Sequence, residues 1–243
     1  MTGKLLQQLF GHKDKAPAQA YNLWAAAYDQ QPGNLMLALD EAVFSALLDD
    51  IDIKGKAVVD IGCGTGRHWK KILEKMPDDL AGYDVSEKML DVLLQKFPAA
   101  TTYLLQGNKL METGDGTVDV VISTLTIAHI ENVETTLAEW NRVLIPGGRI
   151  IITDFHPAAL QKAGKRTFTH DGKTVSVKNH IHSIEKLLAI AGQLDWQNLR
   201  LVEKVVDDSM KSYYKNENAL NVFESFKGVP VIYGLLFKKK DAT

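Results

Sequence analysis

One stretch constrains this chain more than any other: Val58-Val59-Asp60-Ile61-Gly62-Cys63-Gly64-Thr65-Gly66-Arg67-His68-Trp69. A continuous apolar, β-branched run of this kind suits a strand buried on both faces. Three alternate glycines follow it, and glycine turns the chain and lets backbone approach a ligand without a Cβ clash. A helix starting there aims its free N–H groups at whatever lies in front of the glycines. The stretch therefore reads as the first strand–loop–helix unit of an open α/β sheet, with a ligand site at its loop.

The middle of the sequence repeats that alternation. Strands are expected over 57–61, 80–84, 101–106, 118–124 and 149–155, the pattern of a parallel sheet wrapped by helices. Ser86 caps a helix whose Met89, Leu90, Leu93, Leu94 and Phe97 share one face, and Pro98 stops it. Val133, Leu137, Trp140 and Leu144 mark a second helix, ended by Pro146-Gly147-Gly148. Ahead of the first strand, residues 17–29 and 34–49 read as two helices around Gln31-Pro32-Gly33. Past the fifth strand, 167–170 and 173–177 flank Asp171-Gly172, a strong hairpin signal. Ser183 then caps a helix through Gly192, and a strand over 199–206, a mostly helical stretch over 210–226 and a closing strand over 229–237 complete the chain. The expected architecture is one domain with a Rossmann-like, mostly parallel seven-stranded sheet and helices on both faces. Within it, 1–54 is a helical cap, 55–155 the ligand-binding core, 156–182 an inserted hairpin or lid, and 183–243 the α/β completion.

The second strand ends in Asp84, eighteen positions after Gly66, where a carboxylate can accept both hydroxyls of a ribose. The spacing of the glycines decides which nucleoside is expected. A dinucleotide fingerprint is G-x-G-x-x-G, but here the third glycine comes one residue early and Arg67 takes the fingerprint's place. The G-x-G-x-G form preceded by Asp60 resembles class I S-adenosylmethionine-dependent methyltransferases, and the resemblance extends over about two thirds of the chain. It is nearest to the small-molecule group containing the ubiquinone and menaquinone C-methyltransferases. The blocks that carry it are Tyr28-Asp29, the run Gly82 to Leu90, and Trp140-Asn141-Arg142-Val143-Leu144-Ile145-Pro146-Gly147-Gly148.

That resemblance implies S-adenosyl-L-methionine as cofactor. It assigns the ribose to Asp84, a close approach to Asp60, Gly62, Cys63, Gly64 and Gly66, further contacts to Tyr28, Val85 and Met89, and the methionine end to Thr124 and Leu125. The group has Gly-Asp where this chain has Gly107-Asn108; the side-chain carbonyl of Asn108 can still accept from the adenine amino group, with less charge.

Methyl transfer from a sulfonium is an in-line displacement, so alignment in a dry pocket matters most. A base is needed only where the acceptor must lose a proton. His129, His156 and Asp154 lie just past the carboxyl ends of strands and are the candidates. Tyr21 and Trp24 of the cap and Phe168 and His170 of the hairpin are expected to close over the acceptor. His156, His170, His180 and His182 have no accompanying Cys or carboxylate at ligand spacing, so no metal is expected.

Lys+Arg 28 against Asp+Glu 30 gives a net charge of -2, without the excess positive charge that neutralises a phosphate backbone. A small molecule rather than nucleic acid is the expected partner. Residues 1–15 contain too short an apolar run for a secretory leader or membrane span, and the single cysteine fits a reducing compartment, so a cytoplasmic location is expected. The rival readings are an NAD(P)-dependent oxidoreductase and a non-catalytic module that only binds S-adenosylmethionine.

Overall fold

The computed structural model describes residues 14–31, 33–163, 166–216 and 218–242. The N-terminal residues on which much of the leader and membrane-span argument rests lie outside the described residues. Among the described residues, no helix is long and apolar enough to cross a membrane.

The sheet is built from β1 (Ala57–Ile61), β2 (Asp79–Asp84), β3 (Thr101–Leu104), β4 (Val118–Thr124), β5 (Leu144–Phe155), β8 (Trp196–Val205) and β9 (Pro230–Lys239), while β6 (Arg166–His170) and β7 (Lys173–Val177) form a separate hairpin. Strand order is β3-β2-β1-β4-β5-β9-β8. β1 through β5 run parallel, and β9 runs antiparallel to both β5 and β8. The order reverses between β1 and β4, which opens a crevice beyond their carboxyl ends, the place where open α/β sheets bind ligands.

Alternation along the strands divides the core in two. Val59, Ile61, Val121, Ile150 and Ile152 pack against α5 (Val133–Val143) and α7 (Ile184–Gln193). Val58, Val120, Ile122 and Ile151 face α2 (Leu35–Leu48), α3 (Trp69–Glu74) and α4 (Glu87–Lys96) on the other side. The helix starts follow local chemistry: Asn34, Ser86, Asn132 and Ser183 each accept a backbone N–H three residues on, at 3.0–3.2 Å.

The N-terminal helix α1 (Pro17–Tyr28) packs on α4 and on the hairpin. Trp24 stacks on Phe168 with ring centroids 4.4 Å apart. Lys15 exchanges backbone hydrogen bonds with the β7 side, donating to Ser176 and accepting from Lys178, both at 2.9 Å. Asp171 and Gly172 both adopt positive φ, +49° and +69°, as the expected two-residue hairpin turn requires.

Several boundaries differ from expectation; β5 begins at Leu144 rather than at 149, so that Leu144, expected on the preceding helix, opens the strand beside Val118. β3 stops at Leu104; Leu105 still donates to the Asp84 carbonyl, but Gly107 at φ +72° turns the chain away. β8 begins at Trp196, three residues early, because its pairing with β9 runs out to Lys239. A helix not read from the sequence, α6 (Pro157–Ala163), follows β5; Pro157 opens it and His156 accepts the Ala158 N–H. The stretch over 210–226 is broken into a 3₁₀ turn, Asp208–Met210, and two short helices, α8 (Lys211–Asn216) and α9 (Leu220–Phe226), with Asn218 at φ +53° between them.

Candidate functional site

The glycine loop shows why its sequence is so restricted. Gly62 sits at φ +76°, and a Cβ there would lie 2.1 Å from the Thr126 hydroxyl oxygen, so only glycine lets β1 turn under the loop after β4. At Gly64, φ +54°, a Cβ would meet nothing within 4 Å, so here the backbone borders open space. That space is a cavity of about 320 Å³ lined by Gly62, Gly64, Asp84, Val85, Met89, Asn108 and Thr124, with Tyr21, Tyr28 and His129 above them. A narrow extension of about 30 Å³ reaches Asp60, Cys63, Thr65 and Leu125. Leu125 itself is held at φ +52°, a strained conformation for a branched residue.

Two buried carboxylates face this space. Asp84 accepts the backbone N–H groups of Gly64 at 2.9 Å and Ser86 at 2.8 Å; burial nevertheless pushes its pKa up to about 6. Each oxygen keeps a lone pair beyond those bonds. Asp60 accepts the Trp69 indole N–H at 2.9 Å through one oxygen, while its Oδ1 is buried with no hydrogen-bond partner among the described residues. Burial raises its pKa to about 6 also. An orphaned carboxylate oxygen is costly unless a donor arrives, and the ammonium group of a methionine chain is such a donor. An open glycine cradle, a cavity-lining carboxylate able to accept hydroxyls and a second with a free oxygen able to accept an amine together fit S-adenosylmethionine. Asn108 donates to Thr135 Oγ1 at 3.1 Å, leaving its carbonyl oxygen as the acceptor it can offer a ligand.

The proposed bases take different places. His129 lines the cavity; its Nδ1 lies 3.2 Å from the Lys178 carbonyl and its Nε2 lies 2.8 Å from the Tyr21 hydroxyl. The carbonyl can only accept, so Nδ1 carries the proton and Tyr21 donates to Nε2. Burial pushes the His129 pKa down to about 3, which makes the ring a fixed hydrogen-bond acceptor and a weak base. Burial raises the Asp154 carboxyl to about 7, against the N–H groups of Ala128 and Phe155 that its two oxygens accept at 2.7 and 2.6 Å; it braces the turn after β4. His156 is not among the residues lining the cavity. Its Nε2 pairs with Glu203 at 2.8 Å and its Nδ1 serves α6, so the structure does not bring it to the other two.

Of the four closure residues, only Tyr21 lines the cavity. Trp24 and Phe168 lie behind it as a stacked pair, and His170 sits at the hairpin tip beside Asp171. Of the remaining histidines, His182 lies 2.7 Å from the Ile130 carbonyl and stacks at 6.4 Å from His180.

Asp29 and Arg67, quoted from the sequence for their motifs alone, and Arg166, not singled out there, take part in ways the sequence reading did not foresee. Asp29 accepts the Thr65 hydroxyl at 2.7 Å and pairs with Lys96 at 2.8 Å, locking the cap onto the glycine loop. Arg67 borders the narrow extension, and its guanidinium reaches to Asp40 and the Leu37 carbonyl on α2. Arg166, one residue ahead of the hairpin strand expected from 167, lies with its guanidinium 5.6 Å from the Tyr21 ring centre, 5.5 Å from Trp24 and 5.0 Å from Phe155.

Residues 59–152 match the methyltransferase domain family. An uncharacterized protein of Haemophilus influenzae is 35% identical over 130 residues, 50% of this chain and 51% of that protein. A malonyl-[acyl-carrier protein] O-methyltransferase of Serratia marcescens is 29% identical over 160 residues, 65% of this chain and 60% of that enzyme. The chain thus spans about half the length of these curated relatives. A solved S-adenosylmethionine-dependent methyltransferase from Mesorhizobium loti superposes with a TM-score of 0.64 at 20% identity, covering 81% of this chain and 97% of that one. The fold is that of S-adenosylmethionine-dependent methyltransferases.

Proposed function

We propose that this chain, whose residues 59–152 match the methyltransferase domain family, transfers a methyl group from S-adenosylmethionine to a small molecule. The observation that carries the reading is the pairing of a cavity-lining Asp84 carboxylate with an orphaned Asp60 Oδ1 across one open glycine loop. When bound there, S-adenosylmethionine supplies an electrophilic methyl group on a sulfonium. The chain's own part is positional. Asp84 holds the ribose, Asp60 the amine, Asn108 the adenine edge, while Thr124 and the strained Leu125 border the methionine arm. Tyr21, fixed by His129, roofs the cavity from α1 and keeps water from the reacting face.

The net charge of -2 supports a small acceptor over a nucleic acid, and the buried Cys63 accords with a cytoplasmic setting. The oxidoreductase reading is less well supported, because Arg67, which holds the place of the dinucleotide fingerprint's third glycine, is tied down by α2. Turnover of methyl-labelled S-adenosylmethionine against panels of carboxylic acids, phenols, quinols and amines tests the proposal. Transfer to at least one small-molecule class is expected. Label retained by cofactor that binds tightly would instead favour a module that binds without catalysis.

A further inference from the structure

A second, larger cavity of about 600 Å³ is bordered by Arg166, whose guanidinium lies against the Tyr21 ring of the first cavity. Its walls come from elements outside the glycine-loop unit: Leu35 and Met36 of α2, Phe155 at the end of β5, Leu160 of α6, Tyr214 of α8 and Phe226 of α9. The lining is mostly apolar and aromatic, with Gln31 and Asn34 as polar members, and Arg166 is its one formally charged residue among the described residues. No carboxylate of the described residues lies within ion-pair distance of that guanidinium, and its buried Nη1 has no hydrogen-bond partner among them. Three aromatic faces hold the cation in place, but a ring face is a weaker partner than a carboxylate for a desolvated charge. The side chain also hydrogen-bonds Tyr28 and lies in the field of Asp154, but no carboxylate of the described residues pairs with it directly. This half-buried cation at the wall of a large, mostly apolar cavity offers its unpartnered Nη1 to a ligand.

The nearby groups narrow the choice of ligand. Arg166 faces Tyr21, Tyr28 and Asp154, and both tyrosines also line the first cavity, so a group paired with Arg166 sits next to the cofactor space. His129 uses both ring nitrogens in internal hydrogen bonds, and Asp154 lines neither cavity, which leaves the site short of a group to deprotonate an acceptor. An acceptor that is already anionic needs none. One guanidinium balances one charge, and its planar fork matches a carboxylate; a phosphomonoester would bring close to two charges. We propose that the second cavity is the acceptor pocket and that the acceptor is an apolar molecule bearing a carboxylate, held by Arg166. The assignment of this cavity to an acceptor rests on the methyltransferase reading; the anion subsite itself does not.

Calorimetry on the whole protein, with and without S-adenosylhomocysteine, separates the two. Octanoate is the probe and octanamide its uncharged twin. The wild-type protein should bind octanoate at least about tenfold more tightly than octanamide, since a charge-assisted pair is lost in the amide. Arg166→Met should abolish that preference and Arg166→Lys should keep part of it, while S-adenosylhomocysteine binds each variant within about twofold of wild type. Should Arg166→Met fail to fold, Val222→Trp, at a half-exposed position on the cavity mouth, should block octanoate without altering S-adenosylhomocysteine binding. Equal affinities for octanoate and octanamide, no binding of either, or a preference that survives Arg166→Met would overturn the proposal. Absence of S-adenosylhomocysteine binding with an intact octanoate preference would overturn the methyltransferase reading and leave the anion subsite standing.

Discussion

Asp84 and Asp60 are expensive residues to keep ionised, and the proposed ligand contacts would offset that expense. Burial holds both near pKa 6, so near neutral pH each is a desolvated charge awaiting donors. Asp84→Ala should lose on the order of 1.5–3 kcal/mol of S-adenosylhomocysteine affinity, the usual contribution of hydrogen bonds to a charged group, read by calorimetry; unchanged binding would remove Asp84 from the site. The pH dependence follows from the same shifts. In the unfolded chain these acids titrate near 3.9, so their raised folded values favour the protonated apo fold at low pH, and that contribution is lost as pH rises through 6. Ligand donors need the ionised form. The ligand-induced rise in melting temperature should therefore be larger at pH 7.5 than at pH 5, and the dissociation constant should weaken below pH 6; an affinity that is flat from pH 7.5 to 5 would show that neither carboxylate holds the ligand.

Helix α2 is joined to the glycine loop through one buried charge. Asp40 accepts from Arg67, His68 and Thr153, and although burial works against it these partners hold its carboxylate below its ordinary range. Asp40→Ala should cost about 3 kcal/mol or more, because it leaves Arg67 without its buried partner, lowering the melting temperature by roughly 2–4 °C for each kcal/mol in a chain of this size. A variant that melts like wild type would show the network to be dispensable.

Elements of this kind differ in how far the sequence betrays them. The strands from β1 to β5 and helices α4, α5 and α7 carry period, cap and stop signals within a few residues of each other, and the motif loop carries its glycines. Helix α6, the break between α8 and α9 and the partnership of Asp40 with Arg67 have no local signature. They exist because distant segments meet, as Asp40 meets Thr153 across 113 positions. The cofactor side of the site was legible for the same reason, being local to strand ends. The acceptor side was not: Arg166 reads as one more polar residue just ahead of a hairpin until folding sets it among Tyr21, Trp24 and Phe155.

At the scale of the whole molecule, the cap and the hairpin behave as one piece laid over a complete sheet. Lys15 pairs with β7, Phe168 stacks on Trp24, and Trp24 meets Tyr28 edge to face at 5.1 Å, so the hairpin supports the helix whose Tyr21 and Tyr28 border the cofactor space. None of the seven sheet strands needs it. We propose that this piece closes the site for transfer, since water must be excluded at the open strand ends for the displacement to be efficient. Replacing residues 168–175 by a short Gly-Ser turn, which spares Arg166, separates closure from simple coverage of the core. Loss of the Phe168–Trp24 stack should loosen α1 and weaken S-adenosylhomocysteine binding by less than about tenfold, or about 1.4 kcal/mol. Methyl transfer should fall far more, by about a hundredfold or more, because the roof over the reacting atoms is then held open part of the time. Parallel measurement of calorimetric affinity and single-turnover rate distinguishes the cases. A rate that falls only as far as the affinity does would mean that the hairpin merely covers core, and normal turnover in the shortened chain would end the lid proposal altogether.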